Sequence, residues 1–330
     1  MKLSDFVGNE NIKEQVAAII DKNRFPHAIL LQGEEGIGKR TIAFMIAKAA
    51  VCSSLGKKPC NSCIDCLKAD AKTHPDIAYP KATGGTKSFR VDAIREIREN
   101  AYILPNEAKF KIYIFESVDK MTEQAQNAFL KLLEEPPKHV IFILTCNSFD
   151  SLLFTVRSRC QIFSIKPVSD IKAIAFLSLY YPEFSEEEIE KTVKLSHGNI
   201  GRAITILKNS LDNKTYAVAR DIGTALLDDT EWELLAAIGK ASKDRNLFIL
   251  SLDYLELIFR DACILCYSKN KYFPEGDAAK NLSRRFGSNA LVKFIRILQK
   301  TKKYLDRNVG INFLAMYLCA NLRKIAFKEN

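Results

Sequence analysis

The sequence predicts an α/β fold built on a parallel sheet, followed by a long all-helical region. Over about the first 167 residues, apolar runs typical of buried strands alternate with helical patterns, which favours a parallel sheet with helices on both faces. From about residue 168 the strand pattern disappears and helical periodicity continues to the end. A chain of 330 residues suits two or three domains. We predict an α/β domain over 1–167, a small helical lid over 168–209 and a helical domain over 210–330.

The elements follow from local patterns in chain order. An amphipathic helix is predicted over 12–22, and Pro26 marks its end because it restrains Phe25 to extended geometry. Strands are predicted at 28–31, 76–79, 110–115 and 140–145. Helices are predicted between them from residue 42, over 91–102 and over 122–134, where two prolines stop the last one, whereas 81–87 has the composition of a loop. Later helices are predicted at 170–180, 185–196, 201–209, 214–220, 232–241, 245–268, 278–285, 290–305 and 311–327.

Composition and charge restrict the class of protein. Hydrophobic residues make up 47% and charged residues 27% of the chain, as in an ordinary globular protein. The net charge of +10 fits contact with nucleic acid or with an acidic partner. No apolar segment approaches the roughly 20 residues that span a bilayer, and the first residues lack the apolar core of a signal peptide. We therefore expect a cytoplasmic protein without a membrane partner.

A glycine-rich turn after the first predicted strand has the pattern of a phosphate-binding loop. Gly33, Gly36 and Gly38 precede Lys39, and the chain continues with helical periodicity. Glycines let backbone N–H groups approach an anion, the helix dipole adds positive charge, and the lysine can reach the terminal phosphates. The match to G-x-x-x-x-G-K-[S/T] holds except at its last position. The loop predicts binding of ATP or ADP; the alternative is a turn that only joins a strand to a helix.

Residues around this loop depart from the pattern of a working ATPase. Arg40 stands where a hydroxyl usually binds Mg²⁺, and Thr41 comes one residue late. On a later strand, Glu116 and Ser117 stand where an Asp-Glu pair would support the metal and polarise water. Glu116 either reaches the metal or is only an exposed acid at the strand end, whereas Ser117 has no carboxylate. The departures argue against bound Mg²⁺ and against hydrolysis.

Four of the nine cysteines have the spacing of a metal site. Cys52, Cys60, Cys63 and Cys66 form two interlocked C-x-x-C steps with one cysteine upstream. Four thiolates can surround a tetrahedral Zn²⁺ and leave no open position, so the module at about 52–66 predicts a structural zinc. An iron–sulfur cluster, or His74 in place of one thiolate, stays open as an alternative. The remaining cysteines, Cys146, Cys160, Cys263, Cys266 and Cys319, are predicted to pack as small hydrophobic residues.

With these motifs in place, the chain resembles bacterial clamp-loader subunits of the AAA+ class, a family that includes the delta-prime subunit of DNA polymerase III. The resemblance covers about the first 210 residues. It is carried by the phosphate loop, the four-cysteine insert and the motifs DKMT (119–122), QNA (126–128), LLEEPP (132–137) and SRC (158–160). The resemblance implies an AAA+ nucleotide fold, a helical lid and a collar domain that holds an oligomer together.

The resemblance also implies roles for individual residues. Arg159 of the SRC motif would act in trans as an arginine finger on ATP bound by a neighbouring subunit, with Arg157 as a second candidate. Asn147 would be the sensor beside the phosphate site and Arg202 the lid arginine that contacts nucleotide phosphate. Taken from the residues alone, Arg159 could instead pair with a carboxylate near the sheet edge. Asn147 could equally be a turn residue, and Arg202 a solvated first-turn arginine.

The implied function is that of a non-hydrolysing stator in a heteropentamer that loads the sliding clamp onto primed DNA. Its partners would be the ATPase motor subunits and the delta subunit, with the clamp and DNA reached through the assembly. An active motor subunit and a zinc-containing nucleic-acid-binding protein with a vestigial nucleotide fold are the alternatives; a small-molecule kinase is more remote. Several basic residues near the end of the chain are expected either to face DNA or to lie on a solvated helix face. They are Lys269, Lys271, Arg284, Arg285, Lys293, Lys300, Lys302 and Lys303.

Overall fold

The computed structural model describes residues 3–80, 89, 91–210, 213–228, 231–267, 277–306 and 309–328. The chain divides into two compact units, which we call the α/β unit (Met1–Glu183 with Ser196–Ala203) and the helical unit (Phe184–Leu195 with Ile204–Asn330). The predicted loop at 81–87 lies outside the described residues. The three-domain boundaries stay a prediction.

A parallel sheet forms the centre of the α/β unit. Its five strands within the described residues are β1 (Ala28–Gln32), β2 (Ile77–Ala78), β3 (Lys111–Phe115), β4 (Val140–Cys146) and β5 (Gln161–Ser164). They lie in the order β2-β3-β4-β1-β5, and every neighbouring pair is parallel. Leu30 on β1 is opposite Leu144 on β4 and Ile162 on β5, so the strand before the phosphate loop is internal. The predicted α/β class is confirmed.

Helices cover both faces of this sheet. The helices of the α/β unit are α1 (Glu10–Asp21), α2 (Lys39–Val51), α3 (Ile64–Asp70), α4 (Val91–Ala101), α5 (Glu123–Glu134), α6 (Phe154–Arg157) and α7 (Asp170–Tyr180). Successive strand residues point to opposite faces, so Ile29 packs in one apolar cluster with α1 and α2, and Leu30 packs in another with α5. The second cluster is aromatic: the rings of Phe115 and Phe129 lie 5.1 Å apart. Burial on both faces explains the continuous apolar strands.

Helix α5 shows how local sequence sets the ends of an element. Thr122 is its N-cap, and the Thr122 hydroxyl accepts the Ala125 N–H at 3.2 Å. The helix ends at Glu134, just before the Pro136-Pro137 pair that cannot continue it. This cap and stop place Glu134, a member of the candidate site, at the last position of the helix.

The helical unit agrees with the predicted helical region. Its helices are α8 (Glu186–Ser196), α9 (Ile200–Ser210), α10 (Asn213–Ala225), α11 (Glu231–Ala241), α12 (Arg245–Tyr267), α13 (Asp277–Arg285), α14 (Ser288–Asp306) and α15 (Ile311–Lys328). The last residue of α8 and the first four residues of α9 belong to the α/β unit. The core is built on α12 and α14, where the rings of Phe259 and Phe294 lie 5.2 Å apart. Within the described parts of the chain, none of the helices is long and apolar enough to cross a membrane.

Candidate nucleotide site and cysteine cluster

The glycine-rich turn joins β1 to α2 in the geometry of a phosphate loop. Gly36 and Gly38 have φ angles of 85° and 98°, a region that residues with a Cβ rarely adopt. A Cβ on Gly38 would also lie 2.6 Å from the ring of Phe6. The loop therefore requires glycine both for its backbone and for its packing, and it leads directly into the first turn of α2.

Lys39 folds back over this loop. Its Nζ donates to the carbonyl oxygens of Gly33 and Glu34, at 2.5 and 2.8 Å, and to the side-chain oxygen of Asn147 at 2.8 Å. Burial lowers the pKa of the Lys39 ammonium, and the acidic group of Asp119 opposes part of that shift. Two predicted site residues, Lys39 and Asn147, thus meet at the carboxyl ends of β1 and β4, where ligands of parallel sheets bind.

Arg40 forms an ion pair with Glu116. Its Nη2 lies 2.5 Å from a carboxylate oxygen of Glu116, and the two side chains are 75% and 39% exposed. Glu116 directly follows β3, so the pair joins the start of α2 to the end of that strand. Thr41 is half-buried on the first turn of α2. Arg40 and Glu116, the two residues that depart from the ATPase pattern at metal-binding positions, therefore contact each other.

Ser117, the next departure, has a left-handed backbone with φ of 55°. Its N–H donates to the hydroxyl of Thr145 on β4 at 3.0 Å. Thr145 does not belong to any motif that the sequence shows. Its hydroxyl fixes the turn after β3 by a hydrogen bond to a residue 28 positions earlier in the chain. The turn presents a hydroxyl where an ATPase presents a carboxylate.

The segment at the start of α9 closes against the phosphate loop. Asn199 donates its side-chain N–H to the Glu35 carbonyl at 2.8 Å, and the Gly201 N–H donates to the Gly36 carbonyl at 3.0 Å. A Cβ on Gly201 would lie 2.3 Å from the Gly36 oxygen, so the approach needs glycine. The backbone N–H of Arg202 donates to the Asn199 side chain at 3.1 Å. The structure thus brings Arg202 to the loop, and it adds Asn199 and Gly201, which sequence reasoning missed.

Arg159 is paired with an acid of its own chain. Its Nη2 lies 2.8 Å from a carboxylate oxygen of Glu134, and its Nη1 donates to the Thr155 carbonyl at 2.9 Å. The Arg159 side chain is 35% exposed. This is the carboxylate pairing left open by the sequence, and the role of a finger in trans stays a prediction.

Arg157 has a different environment from Arg159. Its guanidinium lies 5.5 and 5.7 Å from the ring centroids of Phe149 and Phe154. Such cation–π contacts hold an arginine in place through its faces. The two arginines of this segment are therefore fixed by different interactions.

The four predicted cysteines form one cluster. Their Sγ atoms all lie within 4.8 Å of one another, and the Cys52–Cys63 and Cys60–Cys66 distances are both 3.9 Å. Tetrahedral Zn²⁺ with Zn–S bonds of about 2.3 Å requires neighbouring sulfurs about 3.8 Å apart. The donor set and its spacing therefore fit a zinc ion with four protein ligands.

Backbone N–H groups point at these sulfurs, as thiolates require. The N–H of Cys63 approaches the Cys60 sulfur at 3.3 Å, and that of Cys66 approaches the Cys63 sulfur at 3.4 Å. Hydrogen bonds from Ser62, and then from the Cys63 backbone, lower the pKa of the Cys60 thiol to about 5. Burial instead raises the pKa of Cys52 and Cys66, an effect that a bound cation opposes.

His74 is not part of this cluster. Its Nδ1 accepts the Asp76 N–H at 3.1 Å, so the neutral ring carries its proton on Nε2. Nε2 lies 3.7 Å from Asp65 and has no hydrogen-bond partner among the described residues. Asp65, His74 and Glu107 have the spacing of a second metal site, but a protonated Nε2 cannot coordinate a metal.

Within the part of the chain that the structure describes, the other cysteines lie outside the groups that could hold a metal ion. Burial raises the pKa of Cys146 and Cys160 to about 12 and that of Cys263 to about 11, as expected for packed thiols. Cys319 is also buried. Cys266, however, is exposed, so the predicted core position is wrong there because α12 turns this residue to the surface.

The predicted basic positions of the helical unit differ in their surroundings. Lys302 pairs with Asp253 at 2.5 Å and Glu256 at 2.6 Å, so its charge is neutralised within the unit. Lys269 and Lys271 lie outside the described residues. Arg284, Arg285, Lys293, Lys300 and Lys303 lie on the described helices α13 and α14.

Comparison with known proteins shows which proteins this chain is similar to. The profile described as "DNA polymerase III, delta subunit" matches residues 8–169. The DNA polymerase III delta' subunit of Haemophilus influenzae is 26% identical over 311 residues, which cover 93% of each chain. The chain resembles the clamp-loader subunits of DNA polymerase III, over its α/β unit in the family match and over nearly its whole length in the delta' match. The predicted resemblance is confirmed.

Gamma-type clamp-loader subunits match over part of their length. The DNA polymerase III gamma subunit of Buchnera aphidicola (from Acyrthosiphon pisum) is 32% identical over 213 residues, 63% of this chain and 58% of that protein. The chain spans 58%, 57% and 33% of the length of three gamma-type relatives. Among solved structures, a gamma-subunit-related protein of Thermotoga maritima is 18% identical, with a TM-score of 0.46 and coverage of 95% and 99%.

Proposed function

We propose that this chain is a clamp-loader subunit that does not hydrolyse ATP and that gives Arg159 to the ATP site of a neighbouring subunit. The ion pair between Arg40 and Glu116 is the observation that carries the first half of the proposal. In ATPases with this loop, Mg²⁺ is held between the hydroxyl after the lysine and an acid at the end of a strand. In this chain those two positions are occupied by Arg40 and Glu116, which form an ion pair with each other.

Magnesium does not fit this arrangement. A guanidinium has only donors and a positive charge, so Arg40 can neither ligate nor tolerate a cation beside it. An Mg²⁺ ion would have to compete with Arg40 for the Glu116 carboxylate. Ser117 supplies no general base for the attacking water. Each change removes a component of hydrolysis and leaves the phosphate loop with its lysine.

The Arg159 finger is supported by the weakness of its present contact. The Arg159 and Glu134 side chains are 35% and 47% exposed, and an ion pair that water reaches contributes only about 0–1 kcal/mol. The Glu134 carboxylate can therefore be exchanged for a phosphate without a large cost. Arginine suits this role because its planar group presents several donors in a fixed geometry.

The cysteine cluster supports a structural zinc. Cys52, Cys60, Cys63 and Cys66 would hold the ion, and four protein ligands leave no position for substrate. When bound, zinc supplies folding energy and no chemistry. The thiolate spacing given above supports zinc over an iron–sulfur cluster.

Assembly with other subunits is supported by apolar side chains on the helical unit. Trp232 on α11, with Phe313 and Met316 on α15, are all exposed, and these two helices pack together. Large exposed apolar groups often mark protein interfaces. We propose the ATPase motor and delta subunits as partners, the sliding clamp and primed DNA as ligands of the assembly, and the cytoplasm as the location.

The test is the ATPase rate of the reconstituted loader with wild-type chain and with Arg159→Ala. We expect a loss on the order of 10³ with the variant, the lower range for arginine fingers, and no hydrolysis by the isolated chain. Arg95→Ala is the matched control, because Arg95 also forms an exposed ion pair, with Asp92 at 3.4 Å. An unchanged rate with Arg159→Ala, or hydrolysis by the chain alone, would refute the proposal.

A further inference from the structure

We infer that the phosphate loop binds a nucleoside polyphosphate without magnesium, and that the Arg40 guanidinium occupies the place of the metal ion. The inference rests on the proposed function, since it names the ligand of the same site. Arg40 and Ser117 do not suit a bound Mg²⁺ ion, as described above.

The position of Arg40 carries the inference. In related ATPases the ion lies between the loop hydroxyl and the strand-end acid and bridges the β- and γ-phosphates. The Arg40 side chain starts from the hydroxyl's position and ends on Glu116, the acid's position, at 2.5 Å. A guanidinium has five N–H donors, and one contact with Glu116 leaves others for phosphate oxygens. The side chain is 75% exposed, so ligand can reach it.

The charges of the site agree with an anionic ligand that arrives without a cation. Lys39 and Arg40 both stand at the N-terminus of α2, where the helix dipole adds positive charge. Glu116 is held by Arg40, which reduces its repulsion of a phosphate. Glu34 and Glu35 on the loop are exposed, so solvent screens them. Without Arg40, the Glu116 carboxylate would face the phosphates directly.

The loop retains what phosphate binding needs besides the metal. Its glycines keep the left-handed turns, and Lys39 reaches across the loop through hydrogen bonds to main-chain carbonyls. These neutral acceptors can be exchanged for charged phosphate oxygens, which form stronger hydrogen bonds with an ammonium group. Phosphate binding therefore requires no movement of Arg40 or Glu116, the residues at the metal-binding positions.

The test is a fluorescence titration of the full chain with mant-ATP and mant-ADP, in EDTA and in excess Mg²⁺. We expect the wild type to bind in EDTA, with affinity unchanged or weaker in Mg²⁺, because the metal competes for the phosphates. Arg40→Thr returns a hydroxyl to the position after Lys39. It should lose at least about tenfold in EDTA, the loss of one charge-assisted hydrogen bond, and recover in Mg²⁺.

Matched variants make the outcomes decisive. Arg95→Thr removes an arginine that is also exposed and should bind like the wild type in both conditions. Lys39→Ala should lose binding in both. Circular dichroism and zinc content would verify that each variant is folded. The inference is overturned if the wild type needs Mg²⁺, if it binds neither nucleotide, or if Arg40→Thr behaves like Arg95→Thr. None of these results would alter the Arg159→Ala test of the reconstituted loader.

Discussion

A buried lysine ties the helix of the phosphate loop to the cysteine cluster, and the two members of its ion pair should respond unequally to mutation. Lys48 on α2 is 1% exposed, and its Nζ donates to the Asn61 side chain at 2.6 Å and to both carboxylate oxygens of Asp70 at 2.6 and 2.7 Å. Asn61 lies between Cys60 and Cys63, and Asp70 ends α3. The Asp70 side chain is 45% exposed.

This difference in exposure sets the expected magnitudes. Asp70→Ala leaves an ammonium buried without a counter-charge, which costs about 3–5 kcal/mol. Lys48→Met keeps the apolar stem and removes the charge. Water can then hydrate Asp70, so the main loss is the partner of Asn61, about 1–3 kcal/mol. The more exposed member of the pair is thus the costlier one to remove, by about 2 kcal/mol.

Urea unfolding at neutral pH, followed by far-UV circular dichroism, measures both free energies of unfolding. Lys68→Met is the control: Lys68 pairs with Glu107 at 2.5 Å and both side chains are partly exposed, so its loss should stay below about 1 kcal/mol. A larger loss with Lys48→Met than with Asp70→Ala, or losses in both variants that match the control, would contradict the expected order.

Three further predictions concern the α/β unit. Gly201→Ala should destabilise it by about 1–3 kcal/mol and weaken nucleotide binding, because the added Cβ would lie 2.3 Å from the Gly36 oxygen. Gly239→Ala is the control: a Cβ there meets nothing within 4 Å, so neither stability nor binding should fall. Burial raises the pKa of Asp76, but hydrogen bonds from Ala108, Asn106 and Glu107 outweigh it, so the native pKa is lowered. The ionised Asp76 therefore contributes to stability above the unfolded pKa of about 3.9, and this contribution is lost as the pH falls through the lower native pKa. The stability difference between wild type and Asp76→Asn, from urea midpoints, should therefore shrink below about pH 4. Cys63→Ser should lose bound zinc by elemental analysis and lower the thermal midpoint, whereas Cys160→Ser should keep the metal.

The sequence was sufficient for the elements that are buried on both sides. Strands β1, β3 and β4 are continuous apolar runs because helices cover both faces of the sheet, and that signal needs no knowledge of the partners. Strand β5 was missed because it is an edge strand: Gln161, Ile162 and Ser164 are exposed and only Phe163 is buried. Its pattern therefore lacks an apolar run.

The candidate site was predictable in composition but not in its contacts. Local motifs suggested Lys39, Arg40 and Glu116, because each stands at a fixed place relative to a strand or helix end. Nothing local could pair Arg40 with a residue 76 positions away, or place Gly201 against Gly36. Such contacts depend on how the sheet orders its strands, and one sequence does not report that order.

Helix α2 connects the two features that distinguish this chain. Lys39 begins the helix, and Cys52 follows its last residue, so 13 residues, about 20 Å, separate the phosphate loop from the four-cysteine cluster. Helix ends normally fray, but this far end is fastened by the cysteine cluster, with Lys48 as a cross-brace. Because an α-helix is one continuous hydrogen-bonded element, fixing its far end also restricts movement of its first turn, which carries Lys39 and Arg40. The cysteine cluster that orders the segment after α2 thereby helps to keep the glycine-rich turn in the shape that the structure shows.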